Sequence, residues 1–295
     1  MPSAATLARA LPWVARIAWV LVAVLGGQAL ESAVDGRSAA VRWTVAVEGW
    51  AVWAAVAAAL VIPSVRALTV ARLVAPVSLV ATMAAGIGGA PATDLVLLGV
   101  PAALATGAIF TADVGQAFVQ ASAYGDEVRL PLRAPVAAGA AAVISWSVWV
   151  AALTIGPLLL ASRVWVPGVV LAALAIAGAV LLGPRWHRLS RRWFVLVPAG
   201  VVLHDPVVLA DPLMLRTPEI SSIRLAPADT GAADLTGPAS GYALEIGTTR
   251  TVTAALATTP GHPDGRALHM TAFLVSPSRP GEALRAAAGR GLPVT

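Results

Sequence analysis

The sequence predicts an α-helical integral membrane bundle of about six transmembrane helices, followed by a small, mainly β cytoplasmic domain that ends in a helix. Three observations carry this expectation. Charged residues make up 12% of the 295 and hydrophobic ones 58%, whereas an ordinary soluble domain is about 25% charged. Six long apolar runs precede residue 190. After residue 182 the texture changes to short β-rich runs separated by turn residues. The domains expected are therefore 1–189, six spans, and 190–295, a cytoplasmic β domain. With no cysteine in the chain, a disulfide scaffold and a thiolate-ligated metal site are excluded.

A span needs about 20 mostly apolar residues. Runs that qualify are 11–30, 43–62, 73–90, 95–112, 136–160 and 164–182. The first carries Arg16, placed to snorkel to the near interface, and the second carries Glu48. Residues 1–30 read as a retained first span rather than a cleaved signal peptide, because the apolar run is long and leads into further spans. Orientation follows from arginine bias in short loops. With the N-terminus inside, the inner segments hold Arg9, Arg16, Arg66, Arg72, Arg129, Arg133, Arg185, Arg188, Arg191 and Arg192. The outer segments hold Arg37, Arg42 and Arg163. Both termini are expected in the cytoplasm.

The sequence pI near 11.1 does not indicate nucleic-acid binding. Residues 1–192 hold 13 arginines against seven acids, and residues 193–295 hold seven against eight. The basic surplus flanks apolar runs, whereas a nucleic-acid module gathers it on a folded polar face. Nine of the ten tryptophans also precede residue 190, near run ends, as interfacial aromatics do.

Beyond the spans, Gly183-Pro184 marks the end of the last apolar run. Two β-rich runs flank Pro198-Ala199-Gly200, a hairpin signal. Further strands are expected at 213–216, 220–225, 242–246, 251–257 and 268–275, with turns at Asp205-Pro206, Asp211-Pro212, 231–241 and 260–265. Ser278 is placed to cap a closing helix, with Pro280 in its first turn, Glu282 at its positive end and Gly289 stopping it.

This order of strands and helix resembles the pleckstrin-homology-like domains appended to bacterial membrane proteins. The residues behind the resemblance are WFVLVPAGVVLHD and PLMLRTPEISSIRLAP, with its Ile220 and Ile223 pair. More loosely, the chain is similar to multi-span membrane proteins of high-GC actinobacteria, including the loop SAYGDEVRLPLRAP. The resemblance implies a bacterial inner-membrane location. It does not imply headgroup binding by the first hairpin loop, which is Pro-Ala-Gly rather than basic.

Candidate sites are few. Glu48 lies inside a span, where an ionisable group is a functional candidate by default; against this, it sits shallow enough to reach water or to pair with Arg16 or Arg42. Asp113, Tyr124, Asp126 and Glu127 fall in the longest cytoplasmic loop with Arg129 and Arg133. Asp126 and Glu127 offer a paired carboxylate, yet adjacent loop residues seldom provide the two different environments that acid–base work needs. A loop that docks on the β domain through Arg129 or Arg133 is the expected role. Arg185, Arg188, Arg191 and Arg192 form a basic juxtamembrane cluster suited to an anionic membrane surface. His204 with Asp205 and Asp211 reads as turn chemistry, and His187, His262 and His269 lack metal-ligand spacing. No catalytic, cofactor or metal residue is expected. The function expected is a non-enzymatic, membrane-anchored adaptor that recruits a protein partner through residues 190–295. The alternative is a carrier of a small solute, with Glu48 as coupling residue and Pro76, Pro101 and Pro157 breaking helices.

Overall fold

The computed structural model describes residues 4–258 and 265–295; His262 and most of the turn expected at 260–265 lie outside them. The chain divides into two units. One is helical and takes in the chain up to Phe118 and again Val143–Trp186. The other holds Val119–Ala142 and His187–Thr295.

Helices α1 (Ala4–Ala33), α2 (Ala39–Val61), α3 (Val65–Val74), α4 (Val77–Ile87), α5 (Ala92–Phe110), α7 (Val136–Ala161) and α8 (Trp165–Ser190) supply the spans, and α6 (Ala112–Gln120) is short and amphipathic. Among the described residues six helical stretches are long and apolar enough to cross a bilayer, α3 and α4 together forming the third over Val65–Ile87. Ile17, Val24, Val47, Val143, Ile144, Ile176 and Val180 stand exposed, an apolar surface of the kind lipid covers.

Three details correct the sequence reading. The third span begins at Val65, not residue 73, so Arg66 and Arg72 belong to its helix rather than to a loop. Of the prolines expected to break helices, Pro76 alone does so; Pro101 and Pro157 sit inside continuous helices. A proline deletes one backbone donor, and the surrounding helix tolerates that loss where its packing is intact. For the same reason Gly183-Pro184 does not end α8, which continues to Ser190. Trp186 holds that last stretch: it is buried, its indole N–H donates to Ser145 Oγ at 3.1 Å, and it packs edge-on against Trp149.

Tryptophan side chains tie the helices to one another's backbones. Trp19 Nε1 donates to the Trp53 carbonyl at 2.9 Å, and Trp53 Nε1 returns the bond to the Trp19 carbonyl at 3.0 Å. Trp146 Nε1 donates to the Leu73 carbonyl at 2.8 Å, beside the break at Pro76, and Trp149 Nε1 to the Ala175 carbonyl at 2.9 Å. Arg16 Nε donates to the Leu60 carbonyl at the end of α2, where a helix has unsatisfied acceptors.

The second unit has two four-stranded sheets. One runs β1 (Val128–Pro131), β2 (Trp193–Val197), β3 (Gly200–His204), β4 (Leu213–Arg216), all antiparallel. The other has the order β5 (Ile220–Leu225), β7 (Leu244–Leu256), β8 (Arg266–Val275), β6 (Ala233–Asp234), with β6 parallel to β8. The inward residues Phe194, Leu196, Leu203, Ile223, Leu244, Ile246, Phe273 and Val275 make one core, closed by Ala283 and Ala287 of α9 (Pro280–Gly289). Gly200 has φ +147°, and a Cβ there would lie 2.0 Å from the Leu215 carbonyl oxygen, so the β2–β3 turn depends on glycine.

Here too the structure differs from expectation. The strands expected at 242–246 and 251–257 are one long strand, β7, with a bulge between Gly247 and Val252. Arg279, not Ser278, occupies the N-cap of α9; the Ser278 N–H donates to the Pro131 carbonyl. The loop between α6 and α7 contributes strand β1, and its Leu130 and Leu132 lie in the β core. The β unit thus draws on both sides of the 189/190 boundary.

Candidate functional site

The outer face of the second sheet carries a polar cleft of about 700 Å³. Strands β5 and β7 set Arg224 directly opposite Glu245, and the guanidinium donates to Glu245 Oε1 at 2.6 Å. The other carboxylate oxygen accepts the Thr230 hydroxyl at 2.5 Å. Thr230 Oγ1 in turn accepts the Ala232 N–H at 3.1 Å, so one buried carboxylate folds the 226–232 loop over the sheet. The Thr230 hydroxyl, and after it Arg224, hold the Glu245 carboxyl below the usual glutamate range; burial pushes the other way. Asp229, Gly231 and Ala233 wall the cleft on one side, and His269, Thr271 and Ala272 of β8 on the other.

Beside the cleft, β8 has an open edge. Strand β6 pairs with β8 at Phe273 and Leu274, and among the described residues no strand lies alongside 266–272 on that side. The direction of its backbone groups follows from β7. Ala255 gives its carbonyl to the Ala210 N–H, away from β8. Its partner Ala267 therefore points N–H and C=O to the open edge, and alternation puts those of His269 there as well. The His269 ring is held by Thr253 Oγ1 at 2.8 Å from Nδ1. The arrangement offers hydrogen-bonding backbone and mixed polar side chains.

The residues singled out from sequence go elsewhere. Glu48 sits in α2 with Oε1 buried and without a hydrogen-bond partner among the described residues, and it forms neither of the ion pairs open to it with Arg16 or Arg42. Asp113 occupies the first turn of α6. Tyr124 is exposed, its N–H donating to Glu127 Oε1 at 2.5 Å. Glu127 pairs with Arg129 at 2.7 Å, and Asp126 pairs with Arg290 after α9 at 2.6 Å. The two carboxylates thus answer different arginines and do not converge. Among the described residues no three His, Asp or Glu side chains cluster as a metal site. Arg185, Arg188 and Arg191 are exposed. Arg192 corrects the basic cluster: it is 1% exposed, bonded through both Nε and Nη2 to the equally buried Asp205, and it donates to the carbonyls of Arg133 and Thr236. It belongs to the β core, not to a membrane surface.

Arg224, Thr230, Glu245 and His269 were missed. One signal was present: Glu245 stands between Leu244 and Ile246, so strand alternation puts a carboxylate on the face opposite their core, where a cation on the neighbouring strand can answer it. No family model, curated protein or solved structure matches this chain.

Proposed function

We propose that this protein is a membrane-anchored, non-enzymatic adaptor, and that its β unit, of pleckstrin-homology-like type, holds a partner protein by adding an extended segment of that partner to the open edge of β8. The observation behind this reading is that, among the described residues, the backbone of Ala267 and His269 faces no partner strand beside the Glu245 cleft. Edge strands left open in this way are templates for another strand, while the neighbouring cleft takes polar side chains of the incoming segment. Two sheets with a closing helix support the pleckstrin-homology-like assignment. Six apolar spans and the arginine bias support a plasma-membrane location with both termini inside.

Proline at position 267 or 269 tests the proposal in the full-length chain. It removes an N–H that points outward, so the β7–β8 ladder loses nothing. A photo-crosslinker at Thr271 is expected to label a protein in native membranes, and Ala267→Pro is expected to reduce that labelling at least tenfold with thermal stability retained. Labelling that persists at full strength in both Ala267→Pro and His269→Pro would overturn edge addition.

A solute carrier is the second reading, favoured by the Glu48 carboxylate oxygen within a span that has no hydrogen-bond partner among the described residues. It requires solute uptake by reconstituted vesicles that Glu48→Gln abolishes.

A further inference from the structure

Between α1 and α2 of the helical unit runs a groove of about 660 Å³, within the range of about 300–1,000 Å³ of small-molecule sites. Its sides are Val22, Leu30, Val45 and Ala46, with Leu98 of α5 at the back. The groove is built into the backbone. At Gly27 a Cβ would meet nothing within 4 Å, and at Gly26 it would strike Leu98 Cδ1 at 2.6 Å, so side-chain volume is withheld where the groove lies. Its base is fixed by the reciprocal Trp19–Trp53 bonds. From Arg42 to Trp53 the α2 wall is about 16 Å long at the helical rise of 1.5 Å per residue.

The mouth, at the α1–α2 turn, is charged with both signs: Glu31, Asp35 and Arg42 line it. All three are exposed, and among the described residues no ion pair joins them. Two carboxylates and a guanidinium above an apolar slot complement an amphiphile whose head carries an anion and a hydrogen-bonding cation and whose tail is hydrocarbon. A primary ammonium donates to both carboxylates, whereas a quaternary one has no N–H to give; a phosphate matches the guanidinium fork.

We infer that this groove is a site for one membrane phospholipid with a phosphoethanolamine head: phosphate on Arg42, ammonium on Glu31 and Asp35, and one acyl chain along α1 and α2 toward Trp53 and Leu98. The lipid comes from the leaflet that meets the α1–α2 turn. The site lies wholly within the helical unit and stands independently of the adaptor proposal.

The test is native mass spectrometry of the full-length protein released from nanodiscs of equal parts phosphatidylethanolamine, phosphatidylcholine and phosphatidylglycerol. One retained phosphatidylethanolamine per chain is expected, in at least tenfold excess over the other two lipids. Gly27→Leu, which puts a side chain into the open groove, and Arg42→Gln, a change at an exposed position, should each cut retention at least tenfold. Arg42→Gln keeps the test decisive if Gly27→Leu does not fold. Equal retention of the three lipids, or retention unmoved by Arg42→Gln, would overturn the site. A dimer in place of bound lipid, dispersed by Gly27→Leu, would overturn it in favour of a second copy of the chain as occupant.

Discussion

Arg191 and Arg192 are neighbours with opposite surroundings, one exposed and the other sealed against Asp205. Nothing in a run of two arginines distinguishes them; the difference arises because β2 starts at Trp193 and turns the preceding side chain inward. A buried pair of this kind is costly to break singly, by about 3–5 kcal/mol. His204, opposite Trp193 in the β2–β3 ladder and stacked on it with ring centroids 4.9 Å apart, is a pH-sensitive residue of this unit. Among the described residues its buried Nε2 has no hydrogen-bond partner. Burial, reinforced by Arg191 and opposed by Asp205, lowers its pKa below the ordinary 6.5. The fold therefore favours the neutral ring. Its contribution is complete above about 6.5 and declines as pH falls toward the folded value, because over that window the unfolded chain binds a proton that the folded chain does not. His204→Phe keeps the stacking and removes the proton. The fall in melting temperature between pH 7.5 and 5.5, read by tryptophan fluorescence, should be smaller in the variant; an equal fall in both proteins would refute the assignment.

Elements end here by a shared device. After α4, α7 and α9, paired bonds of the 6→1 and 5→2 type close the last turn: Ala90 to Ala85 with Gly89 to Gly86, Val164 to Leu159 with Arg163 to Leu160, and Leu292 to Ala287 with Gly291 to Ala288. This motif puts one residue in the left-handed region, for which glycine is suited. Gly89 and Gly291 fill two of these positions, at φ +92° and +72°, but Arg163 fills the third at φ +63°. A left-handed non-glycine residue costs about 1–2 kcal/mol, so Arg163→Gly should stabilise the protein by about 1 kcal/mol. A melting temperature unchanged or lowered would contradict this. Such stops also explain what could be read in advance. The six spans were legible because burial in lipid writes itself as composition over 20 residues. Strands β2 to β5 were visible as short β-rich runs between turn residues. Strand β1 was not, since four residues that hold an arginine and close on a proline are too short to show a period and gain strand character only by pairing with β2. The cleft was illegible for a related reason: Arg224, Thr230, Glu245 and His269 are far apart in the chain and meet only through sheet register.

At the scale of the whole molecule, β1 changes what counts as a domain. The segment 119–142 leaves the helical unit after α5 and α6, supplies a sheet strand, and returns as α7. Its attachments are many: Leu130 and Leu132 are buried in the β core, the Leu132 N–H donates to the Arg192 carbonyl, and the Arg133 N–H donates to the Ser276 carbonyl. The Arg133 carbonyl accepts Arg192, and the Arg133 guanidinium donates to the Tyr242 carbonyl. Removing one buried leucine side chain costs about 2–5 kcal/mol, and a domain's entire stability is about 5–15 kcal/mol. Loss of Leu130 and Leu132 together thus approaches that total, and removal of the segment also takes the Leu132 and Arg133 N–H groups from the Arg192 and Ser276 carbonyls. A fragment of residues 187–295 should accordingly lack a cooperative thermal transition and a near-ultraviolet dichroism signal. The same fragment with residues 119–142 joined through a flexible linker should regain both. Equally sharp unfolding of the two proteins would mean that β1 is an accessory strand. Truncation near residue 190 is for this reason an unsafe probe of partner binding, because it separates β2 from its neighbour; single proline substitutions on β8 leave that join intact.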